Sequence, residues 1–207
     1  MRDVPAAVLF DMDGVLIDSF GIWLAVMNAT AQELGHPAIS RAQLEDAFGQ
    51  GLEEDVRRFY PGATVDDVRT SFARAMPGHL HEVRVDPEAG EVLRELGRQG
   101  VRRAVVTNTQ DDLAGAVLQA AGLADAVDFV SALSPGVREK PAPDLVLRAL
   151  EALGVEAPAA GMVGDTDFDA RAAAAAGVPF LCHRMGHDGS LREGLTARGW
   201  IARPPVR

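Results

Sequence analysis

The strongest constraint on the fold is an alternation of short strand-like segments with helical patterns after residue 86. In the helical segments apolar residues recur every three or four positions, whereas the segments between them are short and are bounded by turn residues. Chains of this kind form parallel sheets joined by right-handed crossovers. The sequence therefore predicts a doubly wound, Rossmann-like α/β fold whose ligands bind beyond the carboxyl ends of the strands. The predicted strands are 101–106, 127–131, 161–164 and 178–183, with a short last one at 200–201, and the predicted helices are 87–98, 111–121, 142–153 and 167–176.

A further strand-like run near the N terminus ends in two carboxylates. Val8, Leu9 and Phe10 are followed by Asp11 and Asp13, with a glycine directly after them. Because side chains alternate along an extended chain, the two carboxylates would point to the same side. Such a pair folds when it shares a cation or when one acid stays protonated, and both conditions are typical of catalysis. The same residues also suit an exposed helix-capping turn, so this motif alone leaves both interpretations open.

The segment between this motif and residue 85 carries helical patterns and no convincing strand. Glycine and proline residues separate four stretches with apolar residues at helical spacing. We therefore expect an α/β catalytic core, formed by residues 1–19 and 85–207, and a small all-helical cap domain, formed by residues 20–84 and inserted after the first strand. The four predicted cap helices are 17–34, 41–48, 52–60 and 65–80.

Polar side chains follow several of the predicted strands, and the carboxyl ends of parallel strands meet at one edge of a sheet. These side chains are therefore expected to converge. Carboxylates from more than one strand suit a hard cation such as Mg²⁺, and hydroxyl, amide and lysine donors suit a phosphate group. Each segment alone also fits a turn, a helix cap or a solvated surface, but their joint position at strand ends favours a site. The converging residues are Asp11 and Asp13, Thr107 and Asn108, Lys140, and Asp165, Asp167 and Asp169.

Composition narrows the class of partner. The formal net charge is −10, and no basic run interrupts it, so neither nucleic acid nor an anionic membrane is expected as a partner. No apolar stretch approaches the ~20 residues of a membrane span, and a soluble, cytoplasmic protein is expected. Cys182, the only cysteine, is expected to be a small buried residue, and His183 and His187 are expected in a solvent-facing loop. The sequence does not indicate an oligomeric state.

Four segments, in this order along the chain, resemble the four signature motifs of the haloacid dehalogenase superfamily. The helical insertion between the first two is similar to the cap of the subgroup that contains phosphoglycolate phosphatase and β-phosphoglucomutase. The resemblance covers nearly the whole chain and implies a Mg²⁺-dependent phosphatase for a small phosphomonoester. The four segments are Asp11-Met12-Asp13-Gly14-Val15, Thr107-Asn108, Lys140-Pro141-Ala142-Pro143-Asp144 and Gly164-Asp165-Thr166-Asp167-Phe168-Asp169.

The resemblance also implies a role for each residue of these motifs. Asp11 would attack phosphorus and form an aspartyl-phosphate that water then hydrolyses, while Asp13 would act as general acid and base. Asp169 would steady the site or Lys140 from behind. The metal ligands would be the carboxylates of Asp11 and Asp165 and the backbone carbonyl of Asp13, and the phosphate ligands would be Thr107, the amide of Asn108 and Lys140.

Two alternatives remain open at this stage. A β-phosphoglucomutase-like mutase is the closer one, but the cap histidine of those mutases corresponds to Trp23 here, which favours hydrolysis. The second is a receiver-type signalling protein, which also carries a phosphorylatable aspartate on a doubly wound sheet. Its phosphoacceptor does not follow the first strand and it has no helical insertion, so we expect an enzyme.

Overall fold

A five-stranded parallel sheet forms the centre of the protein, which is described here for residues 4–201 of a computed structural model. The strand order is β5-β4-β1-β6-β7, and each neighbouring pair runs parallel. The prediction of a doubly wound α/β fold is confirmed. The strands are β1 (Ala7–Phe10), β4 (Arg102–Gln110), β5 (Phe129–Leu133), β6 (Ala160–Gly164) and β7 (Phe180–Cys182).

The central strand of this sheet, β1, carries apolar side chains on both faces, and helices cover both faces of the sheet. Val8 and Phe10 belong to one buried cluster, with α5, α6 and α9, whereas Leu9 belongs to the other, with α7 and α8. This is the arrangement expected for a strand buried on both faces. The flanking helices are α5 (Ala89–Arg98), α6 (Asp111–Ala120), α7 (Asp144–Leu153), α8 (Asp167–Ala176) and α9 (Leu191–Arg198).

Four further helices lie between two short strands, β2 (Ile17–Asp18) and β3 (Arg84–Val85), which pair antiparallel. Their interior is aromatic: the rings of Trp23 and Phe72 lie 5.6 Å apart, edge to face, and Tyr60 donates a hydrogen bond of 2.9 Å to the carbonyl of Met27. The division into a core (1–19 and 85–207) and a cap (20–84) stays a prediction. These helices are α1 (Phe20–Leu34), α2 (Arg41–Glu45), α3 (Leu52–Phe59) and α4 (Val65–Ala75).

Several local predictions differ from the structure. The first cap helix begins at Phe20, because residues 17–18 pair as a strand instead. Residues 200–201 form no strand; they follow α9, a helix that the sequence pattern did not indicate. No helix within residues 4–201 has the length and apolar character needed to cross a membrane. The predicted cytoplasmic location stays a prediction.

The predictions that Cys182 is buried and that His183 faces solvent are wrong. Cys182 is exposed, whereas His183 is only 2% exposed and donates its backbone N–H to the carbonyl of Gly164 at 2.9 Å. β7 is an edge strand, and side chains alternate along it, so its last residue faces solvent while the next one turns inward. His187 is exposed, as predicted.

Candidate active site

The two carboxylates that follow β1 lie at the carboxyl edge of the sheet. The backbone N–H of Asp11 still donates to the carbonyl of Val163 at 2.8 Å, so β6 holds the end of β1 in place. Gly14 then turns the chain with φ of +84°, and a Cβ there would come within 2.5 Å of Asp165 Oδ2. Only glycine combines that backbone conformation with so close an approach. The turn thus brings the first and last motifs together.

Lys140 forms the buried centre of the site. Its Nζ donates to Asp11 Oδ1 at 2.8 Å, to Asp169 Oδ1 at 2.6 Å and to the carbonyl of Val106 at 3.1 Å. The other oxygen of Asp169 accepts from the hydroxyl of Thr166 at 2.6 Å and so caps α8. All three ammonium protons of Lys140 are therefore directed by the fold, and both oxygens of Asp169 are occupied.

Burial and mutual repulsion shift the ionisation of this cluster. Burial, together with the charge of Asp169, raises the pKa of Asp11 well above its usual range, although Lys140 opposes the shift. Burial and Asp169 likewise raise the pKa of Asp165 to about 6. Burial alone would lower the pKa of Lys140, but Asp11 and Asp169 outweigh it and raise that pKa. The acids are in excess over the one ammonium, so the cluster favours an additional positive charge.

The acidic residues of this cluster fit a divalent metal. Asp11, Asp165 and Asp169 each offer an oxygen within 4.8 Å of the others. Within the described residues Asp165 Oδ1 is buried without a hydrogen-bond partner, and Asp11 Oδ2 makes no hydrogen bond. Because both oxygens of Asp169 are already occupied, Asp11 and Asp165 are the carboxylates with a free oxygen to offer. An acceptor that is buried and unpaired is unfavourable unless a cation or donor reaches it.

Asp13 lies beside this cluster and accepts hydrogen bonds from neutral donors. The indole Nε1 of Trp23 donates to Asp13 Oδ1 at 3.1 Å, and the hydroxyl of Ser19 donates to the same oxygen. Asp13 Oδ2 accepts from Thr109 at 3.0 Å and from Thr107 at 3.4 Å. Donors from both the helical insertion and the sheet therefore fix the orientation of this carboxylate.

The side chain of Asn108 connects the helical insertion to the sheet. Its amide nitrogen donates to the carbonyls of Gly49 at 3.2 Å and Lys140 at 3.1 Å, and its oxygen accepts from the backbone N–H of Lys140 at 2.7 Å. Gly49 itself, with φ of +88°, lies against Thr166, where a Cβ would approach the Thr166 methyl carbon within 2.8 Å. The loop at Gly49 thus closes over the carboxyl edge of the sheet.

These residues line a cavity of about 60 Å³ that opens to solvent. The residues on the sheet side of the cavity are Asp11, Asp13, Thr107, Asn108, Thr109, Gln110 and Lys140. The side facing them comes from α1, α2, α3 and α4 and from the loop before α3. The residues of that side are Trp23, Met27, Leu44, Ala47, Phe48, Gly49, Gln50, Leu52, Asp55 and Phe72.

Comparison with known proteins assigns the family. Residues 8–182 match the haloacid dehalogenase-like hydrolases. The chain belongs to this hydrolase family. It is 32% identical to a phosphoglycolate phosphatase of Rhodospirillum rubrum over 96% of this chain and 86% of that protein, and 33% identical to a plasmid-borne phosphoglycolate phosphatase of Cupriavidus necator over 88% and 82%.

A solved structure with the same fold is CbbY from Rhodobacter sphaeroides, in a variant complexed with xylulose-(1,5)-bisphosphate. The TM-score is 0.76 at 23% identity, over 87% of this chain and 86% of that one. The prediction of a haloacid dehalogenase superfamily member is confirmed. Because the family is one of hydrolases, the prediction of an enzyme rather than a receiver-type signalling protein is also confirmed.

The sequence-predicted site residues of this hydrolase all lie at one edge of the sheet except Asp167. That side chain is 81% exposed and pairs with Arg171 on the surface of α8. Four polar contributors to the cavity or to Asp13 were not predicted, namely Ser19, Thr109, Gln110 and Asp55. The signal for Thr109 and Gln110 was present in part, because they directly follow the predicted Thr107-Asn108 pair.

Asp55 on α3 is the unexpected ionisable group of the cavity. It is half-buried and accepts a hydrogen bond from the side-chain amide of Gln50 at 2.6 Å. Burial raises its pKa to about 7, and the charge of Glu139 adds to the shift, against the Gln50 hydrogen bond. The carboxylate is therefore ionised only at neutral pH and above.

Asp55→Asn tests this environment through stability. The folded protein retains the Asp55 proton up to about pH 7, whereas the unfolded chain releases it near pH 3.8, so ionisation lowers the free energy of unfolding as pH rises between these values. The stability of Asp55→Asn relative to the original protein should therefore grow by about 1–2 kcal/mol between pH 5 and pH 8, after allowance for solvent screening. Denaturant unfolding measures this, with Asp66→Asn on the exposed start of α4 as control. A difference independent of pH would contradict it.

Proposed function

We propose that this chain is a Mg²⁺-dependent phosphatase that hydrolyses a small phosphomonoester through an aspartyl-phosphate on Asp11. The observation that carries the proposal is the convergence of the buried ion pair between Lys140 and Asp11, 2.8 Å apart, with Asp13 and the hydroxyl of Thr107 in one cavity. The sequence relatives are phosphatases, and the family is one of hydrolases.

In the first step Asp11 supplies the nucleophile. One of its carboxylate oxygens bonds to phosphorus while the bond between phosphorus and the leaving oxygen breaks. Lys140 holds Asp11 in position and lines the cavity together with Thr107 and Asn108, and the ammonium, hydroxyl and amide of these three residues would offset charge on the phosphoryl oxygens. These groups provide the local positive field that a chain with a net charge of −10 otherwise lacks.

Asp13 moves the protons. It gives a proton to the leaving alkoxide in the first step, and in the second it removes one from the water that attacks the aspartyl-phosphate. That second step releases inorganic phosphate and regenerates the Asp11 carboxylate. The hydrogen bonds from Trp23 and Thr109, at 3.1 and 3.0 Å, hold the Asp13 carboxylate in place for both transfers.

We propose that Asp11, Asp165 and the backbone carbonyl of Asp13 hold the Mg²⁺, with Asp169 supporting Lys140 behind them. Bound there, the ion would offset the charge of the acids and of the phosphoryl group. The unpaired Oδ1 of Asp165 supports its assignment as a ligand.

Trp23 separates hydrolysis from the mutase alternative. An indole N–H donates a hydrogen bond but acts neither as an acid nor as a base near neutral pH, so Trp23 cannot replace a histidine in proton transfer. The decisive experiment is Mg²⁺-dependent phosphate release from p-nitrophenyl phosphate and from a set of small phosphomonoesters by the purified chain. Conversion of a sugar phosphate to its isomer without phosphate release would support a mutase, and no turnover of any compound would contradict the proposal.

Metal binding is testable without turnover. Saturating Mg²⁺ should raise the melting temperature of the metal-free protein by about 5–10 °C, as expected for a ligand at roughly 100 times its Kd. Asp165→Asn should lose at least half of that increase, because it removes a ligand charge. Asp167→Asn is the matched control, since the Asp167 side chain lies in the same motif but is 81% exposed. Equal Mg²⁺ responses in the two variants would exclude Asp165 as a ligand.

A further inference from the structure

We propose that the leaving group of the substrate is a small alcohol that carries a hydrogen-bond donor, a hydroxyl or an ammonium group, and no second negative charge. This inference rests on the proposed phosphatase function and concerns the same cavity. It follows from the charges of the cavity, from two unpaired acceptors in its wall and from its apolar surface.

The cavity offers no free cation to a second anion. Among the described residues that line it, Lys140 is the one cationic side chain, and Asp11 and Asp169 already engage it. On the side opposite the sheet the only charged lining residue is Asp55, an acid. A carboxylate or second phosphate on the leaving group would therefore meet repulsion that, in a partly desolvated site, is expected to lower binding by about tenfold or more.

Two acceptors that line the cavity, Gln110 on the sheet side and Asp55 on the side opposite, lack donors. Gln110 is 5% exposed, and its Oε1 is buried without a hydrogen-bond partner in the described part of the chain. Asp55 uses Oδ1 to accept from Gln50, and its Oδ2 makes no hydrogen bond to any described residue. A buried acceptor such as Gln110 Oε1 is unfavourable without a donor, so a ligand that donates to it gains what the empty site loses. A hydroxyl or an ammonium supplies such a donor, and a carboxylate does not.

The remaining wall limits the size of the leaving group. It is apolar and comes from four helices and the segment before α3, so it favours a short carbon chain between the phosphate and the donor group. The apolar lining residues are Trp23, Met27, Leu44, Phe48, Leu52 and Phe72.

Cations do occur in a neighbouring cleft, which meets this cavity at Phe48. Arg41 there is paired with Glu45 at 2.8 Å and lies over the ring of Phe20 at 4.6 Å, and Arg184 lies 3.5 Å from Asp165 Oδ2. Both guanidinium groups already have acidic partners on their own side of Phe48. A two-carbon leaving group seated between Gln110 and Asp55 would not use them.

Three phosphates that differ in one group test the proposal directly. Ethylene glycol monophosphate, O-phosphoethanolamine and 2-phosphoglycolate carry a hydroxyl, an ammonium and a carboxylate at the same position. With Mg²⁺ at pH 8, kcat/KM for the better of the first two should exceed that for 2-phosphoglycolate by about tenfold or more. The ratio between the hydroxyl and ammonium compounds identifies which donor the site prefers.

Two variants relate the preference to its residues. Asp55→Asn should raise kcat/KM for 2-phosphoglycolate by about threefold to tenfold and lower it for O-phosphoethanolamine, because it removes one negative charge from the wall. Gln110→Met should lower kcat/KM for the hydroxyl compound about tenfold, mainly through KM, and leave p-nitrophenyl phosphate much less affected. Asp66→Asn, an exposed acid on α4 outside the cavity, should change none of these ratios.

The outcomes separate the two proposals. If p-nitrophenyl phosphate is hydrolysed in an Asp11-dependent manner but 2-phosphoglycolate or a bisphosphate is the best substrate, the leaving-group inference is overturned and the phosphatase proposal stands. The inference is also overturned if Asp55→Asn leaves the ratio between the carboxylate and ammonium compounds unchanged. Absence of turnover on every compound would overturn both proposals together.

Discussion

Asp11→Asn is expected to lower kcat/KM for p-nitrophenyl phosphate by about 10⁴-fold or more. An amide oxygen is a far weaker nucleophile than a carboxylate, so the aspartyl-phosphate cannot form at a useful rate. The amide preserves the shape of the side chain and can still accept the hydrogen bond from Lys140, which is 2.8 Å long in the original protein. The loss should therefore be chemical rather than structural, and phosphate release under saturating Mg²⁺ measures it.

The same variant should fold at least as well without metal. Burial and the charge of Asp169 raise the pKa of Asp11, so ionising this carboxyl group lowers the stability of the folded protein. Lys140 keeps its second partner, Asp169, at 2.6 Å. The free energy of unfolding in EDTA should change by less than about 1 kcal/mol or increase, in contrast to the loss of turnover. Full turnover of Asp11→Asn would exclude Asp11 as the nucleophile. If Asp11→Asn is markedly destabilised, Asp11→Glu, which restores the charge, provides the test. A stable and equally inactive Asp11→Glu would then show that the loss is chemical.

How far the sequence predicts this site depends on how local each contact is. Asp11 and Asp165 could be located because each directly follows a strand, Thr107 because it lies near the carboxyl end of β4, and Lys140 because it lies in the loop between β5 and α7. Strand ends and the loops after them converge in any parallel sheet. Their neighbours in sequence were sufficient to find them. The capping role of Asp169 is local in the same sense, since Thr166 lies three residues before it.

Contacts that depend on how the helical insertion meets the sheet were not predictable. Asp55 and Gln110 lie on opposite sides of the same cavity because the loop at Gly49 closes on Asn108. The sequence pattern of neither segment predicts the contact between the Gly49 loop and Asn108, because the two are far apart in sequence and belong to different elements. The same reason explains β2 and β3, whose two residues each are too few to show a strand period.

Lys140→Met is expected to destabilise the protein by about 3–5 kcal/mol at pH 8 without metal, because it leaves Asp11 and Asp169 buried without a counterion. Lys140 is only 3% exposed and donates to both acids. Methionine approximates the length of the aliphatic part of lysine, so the lost charge accounts for most of the effect. Denaturant unfolding at several pH values measures it, and the deficit should shrink as pH falls, since protonation removes the unpaired charges.

A surface ion pair two residues away provides the matched control. Arg138 pairs with Asp144 at 2.7 Å, but its side chain is 73% exposed, so Arg138→Met should change stability far less than Lys140→Met does. Adding Asp169→Asn to Lys140→Met should recover part of the lost stability, because one unpaired acid is removed, but not the activity. If Lys140→Met and Arg138→Met were equally stable, the acids near Lys140 would be neutral in the folded protein. The excess negative charge from which we infer a metal site would then be absent.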